Sequence, residues 1–541
     1  MGGVLVARIA ALQVLPNQPQ GAEFLQDQGQ VRTLRERVIP AYRGIITDRH
    51  GAPLAISTQM YSLWVEPAAV EEAQLPQLAE LAGLGVSELR ARLQNYAGRQ
   101  FMYVRRGMTP AQAEAALAAG IRGLGAESEY QRFYPEKEVT AQVVGLTDID
   151  DRGIEGLELG YEQSLRGTAG RRRVLQDLRG QVVKDLGLVR AVEPGADLAL
   201  TLDLRIQYLG YRALKAAVAR HRARAASMVV MNPRSGEVLA LVSQPSFNPN
   251  VRAQFSPLAM RNRAVVDSFE PGSVVKPFTL LAAMEQGALT PDTRIDTAPG
   301  YLDVQGKRIE DPRNHGALSV REILALSSQV GTVKVALRTA PEQVHGVFQR
   351  VGLGRPPGSG FPGEQGGSLP ERGRWDDLQR ATFAFGYGLT ASALQLARAY
   401  AVLANGGHLV HPALVKGVAA ARPAVVVDRA LARQVREMMV AVVEQGTGAR
   451  ARIDGYPVAG KTGTGHLVGA GGYEDSRYAA LFAGMVPAHD PALVAVVVVI
   501  DPQAGGYSGG RVAAPVFAEV MGEAMRILQV APLPSVAQVS P

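Results

Sequence analysis

The chain has no cysteine at all, which excludes a disulfide framework, a zinc–thiolate site and a cysteine nucleophile together. Lysine is scarce too: of 57 basic residues, all but eight are arginine. Histidine occurs eight times without clustering. The nearest pair, His408 and His411, lies in the Gly/Pro-flanked stretch NGGHLVHP and reads as loop rather than metal site. No basic run is interleaved with aromatic residues, so the net charge of +7 does not point to nucleic acid. That charge suits an anionic membrane surface or a cell-wall polymer equally well.

Long apolar runs are missing as well. The stretch VLVARIAALQVL, Val4 to Leu15, is apolar but twelve residues long and interrupted by Arg8, whereas a membrane span needs about 20. It fits either a docking helix or the last half of a signal anchor that begins upstream.

What is present is a globular composition: 47% hydrophobic and 20% charged over 541 residues. That is more than one core of about 250 to 300 residues accommodates, so two or three domains are expected. Residues from about 30 to 195 mix short strands, turns and the alanine-rich stretch Met108 to Leu124, with no catalytic motif, and read as a scaffold domain. From 196 to about 530 a second unit follows. It opens with a helical pattern over Leu202 to Ala226 and then SMVVMNPRSGEVLALVS, two β-branched runs around an Asn-Pro-Arg-Ser-Gly turn. Three more strand-length apolar runs, Pro457 to Thr464, Tyr478 to Pro487 and Ala492 to Asp501, lie near the C-terminus. Five strands split two and three around a helical middle predict one sheet closed by both ends of the unit, flanked by helices. Gly352 to Asp377, dense in glycine and proline, predicts an extended loop, and the tail from Ala531 to Pro541 predicts disorder.

The chemistry begins at SFEPGSVVKPFTLL, Ser268 to Leu281. Pro277 is tolerated only near a helix start, which puts Ser273 at or beside a helix N-terminus. Lys276, three residues on, then shares its face and can take the hydroxyl proton. Alone, the pattern is better explained by a capping serine and a solvated lysine. A second lysine, Lys461, changes the weighting. It lies in AGKTGTGH, where Lys461, Thr462, Gly463 and Thr464 occupy a predicted strand. A cation followed by hydroxyls and a glycine can hold a carboxylate and let a peptide lie along that strand. Between them comes SSQVGTVKVA, starting at Ser327.

The order S-x-x-K, S-x-N-like, K-T-G is the motif set of penicillin-binding proteins and serine β-lactamases. The sequence resembles a class B penicillin-binding protein, a monofunctional peptidoglycan D,D-transpeptidase. The likeness extends to RGIITDRHG from Arg43 and to Arg132 through Gly170, similar to the pedestal, or dimerisation, domain of that family. RNRAVVDSFEPGS, FAFGYGLTASALQLARAYAVLANGG, GTGARARI and GGRVAAPVF resemble the septal, cell-division branch. One departure stands out: the middle motif of the family ends in asparagine, and here it is Gln329, one methylene longer.

The resemblance implies a multi-domain α+β fold: an N-terminal pedestal and a transpeptidase domain of the β-lactamase-like type with a five-stranded antiparallel sheet. It implies that Ser273 attacks the carbonyl between the terminal D-alanines of a stem peptide, with Lys276 as general base, Ser327 relaying the proton, and Lys461 helping to keep Lys276 uncharged. Backbone N–H groups of Ser273 and Thr464 would form the oxyanion hole. Thr462, Gly463 and Thr464 would hold the substrate carboxylate end, and Gln329 the donor amide. No metal or organic cofactor is implied. β-Lactams would be inhibitors, and a membrane-embedded glycan polymerase and divisome proteins would be partners. A substrate outside the cytoplasmic membrane implies export, so residues 1 to 20 become the remnant of a single-pass anchor. Two rivals keep the fold: a D,D-carboxypeptidase or β-lactamase-type hydrolase, and a weakly catalytic scaffold or β-lactam sensor silenced at Gln329.

Overall fold

The computed structural model describes Gly3 and residues 34 to 533, apart from 177–181, 288, 372, 418–421 and 470–471. The anchor expected at Val4 to Leu15 and most of the tail expected to be disordered lie outside these residues. Among those described, no helix is long and apolar enough to cross a membrane.

The C-terminal unit is built on one antiparallel sheet. Its strands are β1 (Ala225–Met231), β2 (Val238–Gln244), β3 (Ala459–Gly469), β4 (Gly472–Val486) and β5 (Leu493–Ile500). They lie in the order β2-β1-β5-β4-β3, with every neighbour antiparallel. The predicted two-and-three split is therefore one sheet. β5 shows why its sequence is a continuous apolar run. Val494, Val496 and Val498 pack into one core, whereas Leu493, Ala495, Val497 and Val499 pack into another on the opposite face, so both sides of the strand are covered.

The face of Leu493, Ala495, Val497 and Val499 carries helices α1 (Leu204–His221) and, from the far end of the chain, Gly509–Ile527. α1 starts at Asp203, whose carboxylate accepts the Arg205 N–H, an ordinary N-cap. It stops earlier than its apolar spacing predicts because Arg222 adopts a left-handed conformation (φ 47°). Ala225 and Ala226 then belong to β1. The β1–β2 turn is made by Asn232, whose side-chain oxygen accepts from the N–H groups of Arg234 and Ser235.

The opposite face, that of Val494, Val496 and Val498, carries the helical middle: α2 (Lys276–Glu285), α3 (Val320–Leu326), α4 (Gln329–Leu337), α5 (Ala393–Ala404) and α6 (Arg429–Glu444); Gly509–Ile527, on the face of α1, is α7. α2 is buried on all sides from Lys276 through Met284, which makes it the central helix of the unit. The glycine- and proline-rich stretch after Gly352 runs without helix or strand, among the described residues, until Asp376 caps the next helix at Asp377.

The N-terminal unit has a sheet formed by Ile46–Thr47, Pro53–Val65, Met102–Met108, Leu124–Phe133 and Leu198–Ala199. A second, three-stranded sheet joins Leu34–Ile39, Gly170–Gln176 and Val182–Arg190. The Met108 to Leu124 stretch forms the helix Pro110–Ala118, closed at its start by a Thr109–Gln112 capping box. Arg43 and Arg132 are both bound to the fully buried carboxylate of Glu158, at 2.5 and 2.6 Å. The outer lobe has its own core around Leu63, Leu75, Leu78 and Met102. The inner end does not: Ile46, Leu54, Val143, Leu146, Leu157 and Leu165 belong to the same apolar cluster as Val229, Leu281 and Val496 of the C-terminal unit.

Candidate active site

Ser273 lies in a 3-10 turn, Gly272–Val275, that leads directly into α2. The sharp entry depends on Gly272, held at φ 55°, a backbone conformation that favours glycine. Its N–H donates to the carbonyl of Gly386, 3.2 Å away. A Cβ at Gly386, itself at φ 93°, would meet the Gly272 carbonyl at 2.2 Å. On the other side a Cβ at Gly463 would meet Val274 Cγ1 at 2.8 Å and the Pro271 carbonyl at 3.0 Å. The glycine of Lys-Thr-Gly is thus what lets β3 pass against the serine turn.

Lys276 opens α2 and is wholly buried, not the solvated lysine of a bare capping turn. Its Nζ donates to the Ser327 carbonyl (2.6 Å), the Ser327 Oγ (3.2 Å) and the Ser328 carbonyl (3.3 Å). None of these bonds runs to Ser273; among the described residues, Lys276 is turned toward the Ser327 loop. Lys461 on β3 is equally buried and donates to the same Ser327 Oγ at 2.9 Å and to the Thr462 carbonyl at 3.0 Å. The Ser327 hydroxyl therefore sits between two amines.

Ser327 reaches that place through an unusual backbone. It ends α3 in a left-handed conformation, φ 57° and ψ 35°, costly for a residue with a Cβ. Ser328 then caps α4 by accepting the Gly331 N–H. The segment is fixed by Asp311, a buried residue that the sequence reading did not single out. Its carboxylate accepts the Ser328 hydroxyl and the backbone N–H groups of Gln329 (2.6 Å) and Val330 (3.3 Å). Nothing local in EDPRN marks it, because its partners lie far along the chain.

Two ammonium groups cannot share one buried hydroxyl at neutral pH without cost. Burial pulls Lys276 down to about 7, against an opposing pull from the Asp311 carboxylate. Burial also holds Lys461 well below the ordinary lysine range, with the positive charge of Lys276 adding to the effect.

Ser273, Ser327, Gln329, Thr462, Gly463 and Thr464 line one cleft of about 490 Å³, together with Thr447, Arg450, Ser508 and Arg511. Lys276 and Lys461 lie beneath its floor. Gln329 is exposed at the first position of α4, where an extra methylene meets no packing constraint. Thr462 Oγ1 is 2.7 Å from Thr447 Oγ1, and Thr464 Oγ1 accepts the Gly509 N–H. β3 forms one edge of the sheet, so its outer side is free to pair with an extended peptide.

All eight residues expected from the motifs are brought together here, with the two lysines joined through Ser327. The penicillin binding protein transpeptidase domain matches residues 226–522, and the penicillin-binding protein dimerisation domain matches residues 38–200. The chain belongs to the class B penicillin-binding proteins. A probable peptidoglycan D,D-transpeptidase PbpC of Pseudomonas aeruginosa is 42% identical over 94% of this chain and 91% of its own length. The peptidoglycan D,D-transpeptidase FtsI of Escherichia coli is 37% identical over 98% and 90%. Among solved structures, penicillin binding protein 3 of Mycobacterium tuberculosis complexed with aztreonam superposes with a TM-score of 0.70 at 28% identity, covering 92% of this chain and 98% of that one. As a class B penicillin-binding protein the chain is a serine-type D-Ala-D-Ala transpeptidase of cell-wall synthesis.

Proposed function

We propose that Ser273 is the acylated nucleophile and that the Lys276–Ser327–Lys461 group is its proton relay. The observation that carries this reading is the Ser327 hydroxyl bonded to both lysines in the cleft that Ser273 lines. Ser273 Oγ attacks the carbonyl carbon between the terminal D-alanines of a stem peptide. Its proton passes to neutral Lys276, which swings from the Ser327 loop once substrate fills the cleft, since catalytic hydrogen bonds commonly tighten only with substrate bound. Ser327 delivers a proton to the departing amine, the C–N bond breaks, and D-alanine leaves. An amine of a second stem peptide then attacks the acyl carbon and returns the oxygen and its proton to Ser273.

The N–H groups of Ser273 and Thr464 serve as oxyanion donors, and Thr462 and Thr464 face the carboxylate end. Gln329 holds the donor amide, and its exposed place at the start of α4 supports tolerance of the longer arm rather than a silenced site. The likeness to FtsI supports septal crosslinking, a catalytic domain on the outer side of the cytoplasmic membrane tethered by an anchor, and work alongside a glycan polymerase and divisome proteins.

Incubation with a fluorescent penicillin, followed by peptide mapping, tests the assignment. Stable label on Ser273 that disappears in Ser273→Ala is expected. Label elsewhere, or a label that turns over within minutes as in a hydrolase, would refute it.

A further inference from the structure

One sheet of the molecule has no second layer. The strands Leu34–Ile39, Gly170–Gln176 and Val182–Arg190 pair only with one another. Among the described residues, theirs is the one sheet with no residue in or packed against any apolar cluster. A sheet normally buries one face against another element, and a small one depends on it. Here Val182–Arg190 is exposed at every position, with Val183 65% and Leu188 60% exposed.

The charge of the sheet narrows what can cover it. Its three strands carry seven arginines and lysines against two carboxylates, Glu36 and Asp185, and no aromatic residue. The cross-strand register separates two faces. On one, Arg172 lies beside Leu188, and Val174 beside Asp185; Asp185 pairs with Arg172 and Val174 is almost wholly buried, so this face is closed by its own side chains. The opposite face sets Arg171 between Val38 and Arg190, Arg173 beside Glu36, and Leu175 beside Lys184. Glu36 is shared by Arg171 and Arg173, which leaves this face with a surplus of cations around Val38, itself 61% exposed. A protein interface typically centres on aromatic anchors, which are missing here. Cations around an isolated aliphatic side chain fit the headgroup layer of an anionic bilayer, where phosphates pair with the cations and the aliphatic group enters the acyl boundary. The position in the chain agrees: Leu34 opens the sheet about 20 residues after the apolar stretch Val4 to Leu15, a span of at most about 70 Å.

We propose that the face bearing Arg171, Arg173, Lys184, Arg190 and Val38 lies on an anionic lipid surface and holds the pedestal to the membrane at a second point besides the anchor. The proposal rests on the reading of the chain as membrane-anchored. Two points of attachment fix the direction in which the pedestal stands, which one tether alone does not.

Because the chain has no cysteine, Val38→Cys and Leu188→Cys each accept a single environment-sensitive fluorophore in the whole protein. Each labelled protein is bound to vesicles of phosphatidylcholine alone or of equal parts phosphatidylcholine and phosphatidylglycerol, with and without a lipid carrying a nitroxide on its headgroup. At Val38 the emission should shift to the blue and be quenched in the anionic vesicles only, and salt at about 1 M should reverse both changes. Leu188, on the closed face, should respond little. Adding Arg171→Gln/Arg173→Gln/Lys184→Gln should abolish the response at Val38 while fluorescent penicillin still labels the protein, which shows that the fold is kept. A Val38 signal that is the same in both vesicles, or matched by Leu188, would overturn the proposal. So would a Val38 label that stays in water until a membrane-embedded glycan polymerase is added, which would give the face to a protein partner. A chain that sediments with neither vesicle would refute the anchored reading, and the proposal with it.

Discussion

The hydroxyl of Ser327 accepts from two buried amines, so its loss does more than remove a proton carrier: it leaves two desolvated lysines without their common partner. Ser327→Ala is expected to slow acylation by about 100-fold or more, the usual range for a positioned acid–base group, measured with a fluorescent penicillin. The pH dependence has a definite sign. Lys276 must be neutral to take the Ser273 proton, and burial has lowered it to about 7. The acylation rate should therefore rise with pH through about 7 and fall about tenfold per unit below it. A rate that is flat from pH 5.5 to 8 would remove Lys276 as the base. At this scale the reactive residue types were legible in the sequence, since Ser273 and Lys276 are neighbours in the chain and the rare lysines stand out among arginines. The bond of Lys276 to the Ser327 loop and the role of Asp311 were not, because both depend on packing across long stretches of chain.

Between residues and the whole, short elements place the chemistry. The N-terminus of α4 is fixed by Asp311, which also opposes the lowering of Lys276. Asp311→Asn keeps acceptors for the N–H groups but removes the charge, so the midpoint of the acylation pH profile should move downward. Asp311→Ala should in addition lower stability by about 1 kcal/mol, as the loss of a helix cap does; thermal unfolding of the two variants separates the effects. On the other wall, β3 passes the serine turn only because position 463 lacks a side chain. Gly463→Ala should cost about 1 to 3 kcal/mol through overpacking and slow labelling of Ser273, since Val274 or Pro271 must give way. The strands themselves were readable: β5 is an unbroken apolar run because both its faces are covered. The end of α1 was not, because an arginine at position 222 carries no mark of the left-handed conformation it adopts.

On the scale of the molecule, the two units are joined by more than a linker. Strand Leu198–Ala199 runs parallel to Ile46–Thr47, and Leu200 continues toward Val415 of the C-terminal unit. Glu158 anchors Arg43 and Arg132 near this junction with almost no exposure of any of the three. Glu158→Gln leaves Arg132 buried without its charge partner and Arg43 with Glu162 alone, and a loss of about 3 to 5 kcal/mol is expected, seen as a lower Tm. An unchanged Tm would mean that the triad is not a structural keystone. The motifs in Arg43 to Gly51 and Arg132 to Gly170 marked these stretches from sequence, but their meeting at Glu158 could not be read from their spacing. The apolar cluster that includes Leu54 and Leu157 on one side and Val229 and Leu281 on the other leaves no soft joint at the inner end of the pedestal. The inner end of the pedestal and the helix bearing Lys276 are thus packed into one continuous core, so a displacement of that end has to be accommodated by contacts that also hold the helix.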